Sequence, residues 1–213
     1  MNKRLKLSLV SWGIAAVVYL LFSLWHGAFE GPLSEEEIEG YAKKYAELQP
    51  DADLVQFRAL LENDNGKAVI MVNAIKLYDT PKMINGELAG KTSEEVLEQY
   101  TKYVFSYLIK RGSYPLYHGV ATNDAVEQWG LESSKEWTYG SMIRYRSKRV
   151  MIEMSTNPEF KQFHANKIAA IEKTIAFPTT SMIQMGGLGS IVFLVLLSIV
   201  LLFQLLFISK LKS

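Results

Sequence analysis

The chain alternates between segments that are apolar all round and segments with one apolar face. Residues 186–208, GGLGSIVFLVLLSIVLLFQLLFI, contain no charge and no polar stripe. A helix of that length crosses about 30 Å of hydrocarbon. Each Leu, Ile, Val or Phe near its centre favours insertion by about 0.3–0.6 kcal/mol. Residues 7–25 form a second, shorter apolar run, with Lys6 before it and Trp25 at its far end, where an interfacial aromatic belongs. A cleaved leader is the competing reading of this run. The following HGAFEG is a poor small-x-small cleavage site, so an uncleaved anchor is expected. Gln204 is expected to lie near the interface and reach water; bonding to a neighbouring helix, for which Gly186, Gly187, Gly189 and Ser190 also offer a small-residue patch, is the other reading.

Between these runs the periodicity changes. Ser34 and Glu37 have capping-box spacing, and Ile38, Tyr41, Tyr45 and Leu48 follow at helical intervals, with Pro50 as the stop. A shorter helix from about Asp53 to Glu62 places Leu54, Phe57 and Leu61 on one face, and NDNG turns the chain. Residues 67–78 are rich in β-branched residues and too short for a typical helix, so they read as a strand. A loop, DTPKMINGELAG, leads to a second capping box at Thr92 and Glu95. Val96, Tyr100, Tyr103, Val104, Tyr107 and Leu108 then form an apolar stripe that Gly112 ends. Strands are expected at about 114–122 and 137–146. Ser147 caps a helix to Met154, Asn157 and Pro158 start another to about Lys173, and residues 174–183 read as a fourth strand.

Strand, helix, strand, strand, helix, strand is the ferredoxin-like βαββαβ order. In its usual sheet the second and fourth strands are edges. Proline cannot donate to a central ladder, and Pro115 and Pro178 fall in the second and fourth strands. The expected fold class is α+β: a tip and first transmembrane helix (1–29), a helical extension (30–66), a ferredoxin-like domain (67–184), and a second transmembrane helix with its tail (185–213).

Charge adds an orientation. The chain has a formal net charge of +1, but residues 30–173 hold 18 basic and 22 acidic residues, a net −4. The ends are purely basic: Lys3, Arg4 and Lys6 before the first run, Lys210 and Lys212 after the second. The excess of cations on one side of each span places both termini in the cytoplasm and the middle domain outside, which in a bacterial inner membrane means the periplasm. A mildly acidic domain repels phosphate backbones, so a nucleic-acid partner is not expected. The absence of cysteine removes disulfides and thiolate chemistry.

The segments ENDNGKAVIMVNAIKLYD, YTKYVFSYLIKRG and EWTYGSMIRYRSKRVMIEMSTNPEFKQF carry a resemblance. They look like a family of small bacterial domains of unknown function in the dimeric α/β-barrel superfamily. Its pattern is a MxNLLKF-like first strand, a helix with spaced tyrosines, and a block of the form W…RYPS…F…M…P-E/D-Y/F. The resemblance covers about residues 53–183. Arg146 stands where that family usually has proline, and the two membrane helices are an addition. The resemblance implies a homodimer whose sheets face each other as a barrel. It supplies no reaction. Relatives elsewhere in the superfamily include haem-degrading and quinone-forming monooxygenases, haem proteins and small-molecule sensors.

Five residues are candidates for a ligand site. Asn73 interrupts an apolar strand, with Met71 and Ile75 on its face; it orients a ligand or ties a neighbouring loop or dimer mate, and the structural reading is favoured. Trp137 and Arg144 lie on the neighbouring strand, on opposite faces by strict alternation. Tyr100, with Tyr103 and Tyr107, is expected to pack its helix onto the sheet, its hydroxyl being available to a pocket. His164 belongs to an expected inward stripe of Phe160, His164, Ile168 and Ile171, where a satisfied core histidine is the favoured reading and haem ligation the alternative that some relatives imply. No cofactor is expected beyond that haem alternative. His26, His118 and His164 lack metal-ligand spacing, and no P-loop, dinucleotide fingerprint or nucleophile elbow is present. Two functions remain: a homodimeric module in the lipid bilayer that binds a small molecule or assists a membrane system, and a superfamily-type oxidoreductase. A domain that mainly organises the membrane helices is a third.

Overall fold

The computed structural model describes residues 3–48, 53–83, 92–130, 135–183, 186–208 and 210. In chain order the elements are α1 (Lys3–His26), α2 (Glu35–Leu48), α3 (Leu54–Glu62), β1 (Val69–Leu77), α4 (Ser93–Ile109), β2 (Tyr114–Val120), β3 (Tyr139–Tyr145), α5 (Lys148–Ser155), α6 (Pro158–Ala170), β4 (Ile171–Thr179), α7 (Leu188–Phe203) and a π turn (Gln204–Ile208). They form two compact units, one of residues 1–29 with 182–213 and one of residues 30–181. Pro50, the tip of the loop after β1 and part of the loop before β3 lie outside the described residues.

The first unit contains two helices long and apolar enough to cross a membrane, Lys3–His26 at a mean hydropathy of 2.1 and Leu188–Ile208 at 3.2. They pair antiparallel. Tyr19 meets Phe193 edge to face with centroids 5.8 Å apart, and farther along Gln204 meets the start of α1. Its Nε2 donates to Ser8 Oγ and Ser11 Oγ, both at 3.0 Å. The expectation that Gln204 reaches water is therefore corrected. An amide on an apolar helix gains most from hydroxyls on a partner helix. The π turn begins at Gln204, a local widening of the kind that often re-aims a side chain.

The second unit is built on a four-stranded sheet in the order β2-β3-β1-β4, every neighbouring pair antiparallel. The proline-bearing strands, β2 and β4, are the edges. Alternation gives β1 two faces. Met71, Asn73 and Ile75 look to one side, in register with Ile143, Ser141 and Tyr139 of β3. Val72 and Ala74 look to the other, beside Met142 and Gly140 of β3 and Phe177 and Ile175 of β4. The helices pack on the first side. Val69, Tyr145, Val104, Leu108, Met151, Ile152 and Phe160 make one continuous buried cluster there, and Leu77, Val96, Leu97, Ala170 and Ile171 a second. Leu108 and Val96 are fully buried; complete burial of side chains this size stabilises by about 1.5–3 kcal/mol each.

Caps fix where the helices start. Thr92 and Glu95 make the full reciprocal box on α4, and Ser34 and Glu37 make one on α2. Asp53, Ser147 and Asn157 cap α3, α5 and α6. Gly112 follows α4 at φ 70°, a left-handed turn that other residues adopt at a cost. Gly66, at φ 71°, has a second constraint: a Cβ there would lie 2.6 Å from the carbonyl carbon of Gly31.

The fourth strand begins earlier than its expected 174–183, and α6 ends at Ala170 rather than near Lys173. Ile171 is already extended at φ −100°, ψ 120°, and pairs with Leu77, so ladder bonds to β1 outweigh further helical turns. The expected stripe on α6 is also corrected. Ile168 is 61% exposed, and Lys167 instead follows His164 inward.

An ion-pair cluster docks the helical extension on the sheet end of the unit. Arg149 of α5 holds Glu37 in a two-pronged bond, Nε to Oε1 at 2.8 Å and Nη2 to Oε2 at 3.1 Å. Its Nη1 donates to Glu30 at 3.0 Å, and Arg146 donates to the other oxygen of Glu30. This explains the arginine at 146. Its side chain joins the cluster, and its backbone N–H donates to Ser113 Oγ at 2.9 Å, a bond proline could not make.

Candidate functional site

A cleft of about 760 Å³ lies between the helix-facing side of the sheet and α4, α5 and α6. Met71, Asn73 and Ile75 of β1 and Tyr139, Ser141, Ile143 and Tyr145 of β3 form its floor. Tyr100 and Val104 of α4, Met151 and Met154 of α5, and Phe160, His164 and Lys167 of α6 form its roof. Tyr45 and Phe57, stacked with centroids 3.7 Å apart, close one end. The volume and the mainly apolar lining with a few polar groups are those of a small-molecule pocket.

Three of the five expected site residues meet here: Asn73, Tyr100 and His164. Asn73 donates from Nδ2 to the carbonyl of Met71 at 3.1 Å, so its bond is to its own strand and not to a loop. Tyr100 has Phe160 at 6.0 Å and His164 at 6.4 Å between ring centroids. Burial pushes its phenol up, with the nearby Tyr145 a smaller cause. Phe160 stacks on the His164 ring at 5.1 Å and 22°. Desolvation first, and the charge of Lys167 second, hold the His164 pKa down to about 4, so the imidazole is neutral at neutral pH.

The other two candidates lie elsewhere. Arg144 pairs with Ile70 and Tyr114, which puts it on the opposite face from Asn73. There it is buried, donates from Nη1 to the carbonyl of Gly112 at 3.1 Å, and sits 5.5 Å from the Tyr114 ring centroid. Trp137 precedes β3, with Lys173 Nζ 4.7 Å over its ring. Of the other tyrosines, Tyr103 stacks on Phe163 of α6 at 4.4 Å, and Tyr107 carries Arg111 at 3.6 Å. They hold α4 to α6 and cover its end, while Tyr100 alone of the three lines the cleft.

Lys167 is the lining residue that sequence reasoning missed. Its Nζ is 5.9 Å from the Tyr100 ring centroid, and it makes no ion pair among the described residues. Desolvation lowers its pKa. The signal was its position three residues after His164, a spacing that keeps two side chains on one face of a helix.

Haem ligation through His164 is the cofactor alternative that the resemblance implies. An iron-bound histidine donates its other ring N–H to an acceptor that can be a carboxylate, a carbonyl or water, and His164 makes no hydrogen bond to protein groups among the described residues. No grouping of three histidine, aspartate or glutamate side chains able to hold a metal ion occurs among the described residues.

With the geometry established, comparison places the fold. It is similar to that of a bacterial protein of unknown function. That protein is RPA0582 from Rhodopseudomonas palustris, at a TM-score of 0.51 and 18% identity over 63% of this chain and 97% of that one. The methylated RPA0582 protein matches at a TM-score of 0.51 and 17% identity, over 64% and 96%. At such identities the likeness is one of fold. No family model matches the chain, and no curated protein matches it.

Proposed function

We propose that this chain is a membrane-anchored small-molecule-binding protein whose extracytoplasmic domain is a ferredoxin-like homodimer. The cleft carries the reading: an apolar space of drug-like size with a few inward polar groups, backed by a sheet whose strand order is that of the ferredoxin-like fold. The bare sheet face supports the dimer. Met142, Ile175 and Phe177 are 42%, 38% and 48% exposed there, an apolar surface suited to a second copy of itself. The antiparallel helix pair supports two spans with both termini on one side, and the basic ends support the cytoplasm as that side. The domain acts as a sensor or accessory module.

Native mass spectrometry of the full chain released from detergent tests the binding and assembly. A dimer carrying an added small-molecule mass is the expected result; an empty monomer overturns both parts. Orientation is tested separately. Because the chain has no cysteine, Asp124→Cys gives one reactive site in the domain. A membrane-impermeant maleimide should label it on intact cells, and labelling only after lysis overturns the external placement.

A further inference from the structure

We propose that the ligand is a small organic anion, its oxyanion paired with Lys167 and its apolar body lying against Tyr100, Phe160 and Ile143. This rests on the ligand-binding reading and adds the ligand's charge. Lys167 lines the cleft from the same side of α6 as His164. A lysine ammonium taken partly out of water is costly unless something of opposite charge meets it. Among the described residues nothing does. The acidic residues at the mouth of the cleft are on α4 and turn to other tasks: Glu95 closes the capping box at Thr92, and Glu98 pairs with Lys102 at 3.0 Å. Glu94 is exposed at the rim. The Tyr100 ring at 5.9 Å gives the ammonium a cation–π contact at the limit of useful range. That leaves an uncompensated cation facing an apolar space, the arrangement that an arriving carboxylate or similar oxyanion completes. His164 and Asn73 can assist, since a neutral imidazole has one N–H donor and the Asn73 amide has a second beyond the one given to Met71.

The test is equilibrium dialysis of phenylbutyrate and its neutral analogue phenylbutyramide against the full chain in lipid nanodiscs, with empty nanodiscs as the blank. The carboxylate should bind more tightly than the amide by at least about tenfold, the size of a charge-assisted contact. Lys167→Met should abolish that preference, and Lys167→Arg should retain it. Equal binding of both probes, insensitive to Lys167→Met, overturns the anion and leaves the binding cleft standing. Saturable binding of neither probe overturns the cleft reading as well.

Discussion

On one side of the sheet, Met71, Ile75, Ile143 and Tyr145 lie beneath helices; on the other, Met142, Ile175 and Phe177 lie bare within the same unit. The two faces are alike in apolarity. They differ in what their polar residues do. On the covered face Asn73, His164 and Lys167 point into a cleft, while on the bare face Arg144 is buried at one end against Tyr114 and the Gly112 carbonyl. A sheet face under helices with space left between can enclose a ligand. A sheet face without helices can bury its apolar surface against another sheet.

Substitutions on the two faces should separate these roles. Leu108→Ala, on the covered side, removes a fully buried side chain and should destabilise the domain by about 2–5 kcal/mol. Phe177→Asp, on the bare side, should change monomer stability by no more than about 0.5 kcal/mol, yet abolish the proposed dimer. Thermal unfolding reads the first effect and light scattering in detergent the second. A bare-face variant that unfolds the domain, or leaves the dimer intact, breaks the contrast.

Smaller effects test the roof of the cleft. Thr92→Ala deletes the capping box that starts α4 and should cost about 1 kcal/mol, measured as a lowered Tm with little change in oligomeric state. Glu37 gives a pH signature. The Arg149 guanidinium holds its carboxyl down to about 2, with the Ser34 backbone bond a further cause. A lowered carboxylate pKa adds stability that is complete above the ordinary carboxylate range and fades as pH falls from about 4.5 to about 2. Glu37→Gln should therefore lower the Tm modestly at neutral pH, and the gap from the parent chain should close toward pH 2. A gap that persists there would show that the charge is not what docks α2.

Much of the fold was legible along the chain because its signals are local. Ser34, Thr92, Ser147 and Asn157 announce helix starts through bonds to residues two or three positions away. Pro115 and Pro178 mark edge strands because each lacks an N–H. The site was less legible. Asn73, Tyr100 and His164 come together as sequence neighbours of apolar stripes would, but Trp137 stops short of its strand and Arg144 turns to the other face. Gln204 was misread because its partners, Ser8 and Ser11, are nearly the whole chain away.

The sequence by itself determined which residues share a face, because alternation and helical spacing are properties of the backbone. It determined the two long apolar helices for the same kind of reason, since length and the lack of charge need no partner to be read. Only the tertiary structure decided which face of the sheet the helices cover. It also decided that α6 turns Lys167 inward and Ile168 outward. A periodic pattern sets side chains relative to one another and leaves the rotation of the element free; that rotation is fixed by packing against α4 and the sheet, where the shapes of Tyr100, Phe160 and Phe163 outweigh the apolarity of a single isoleucine.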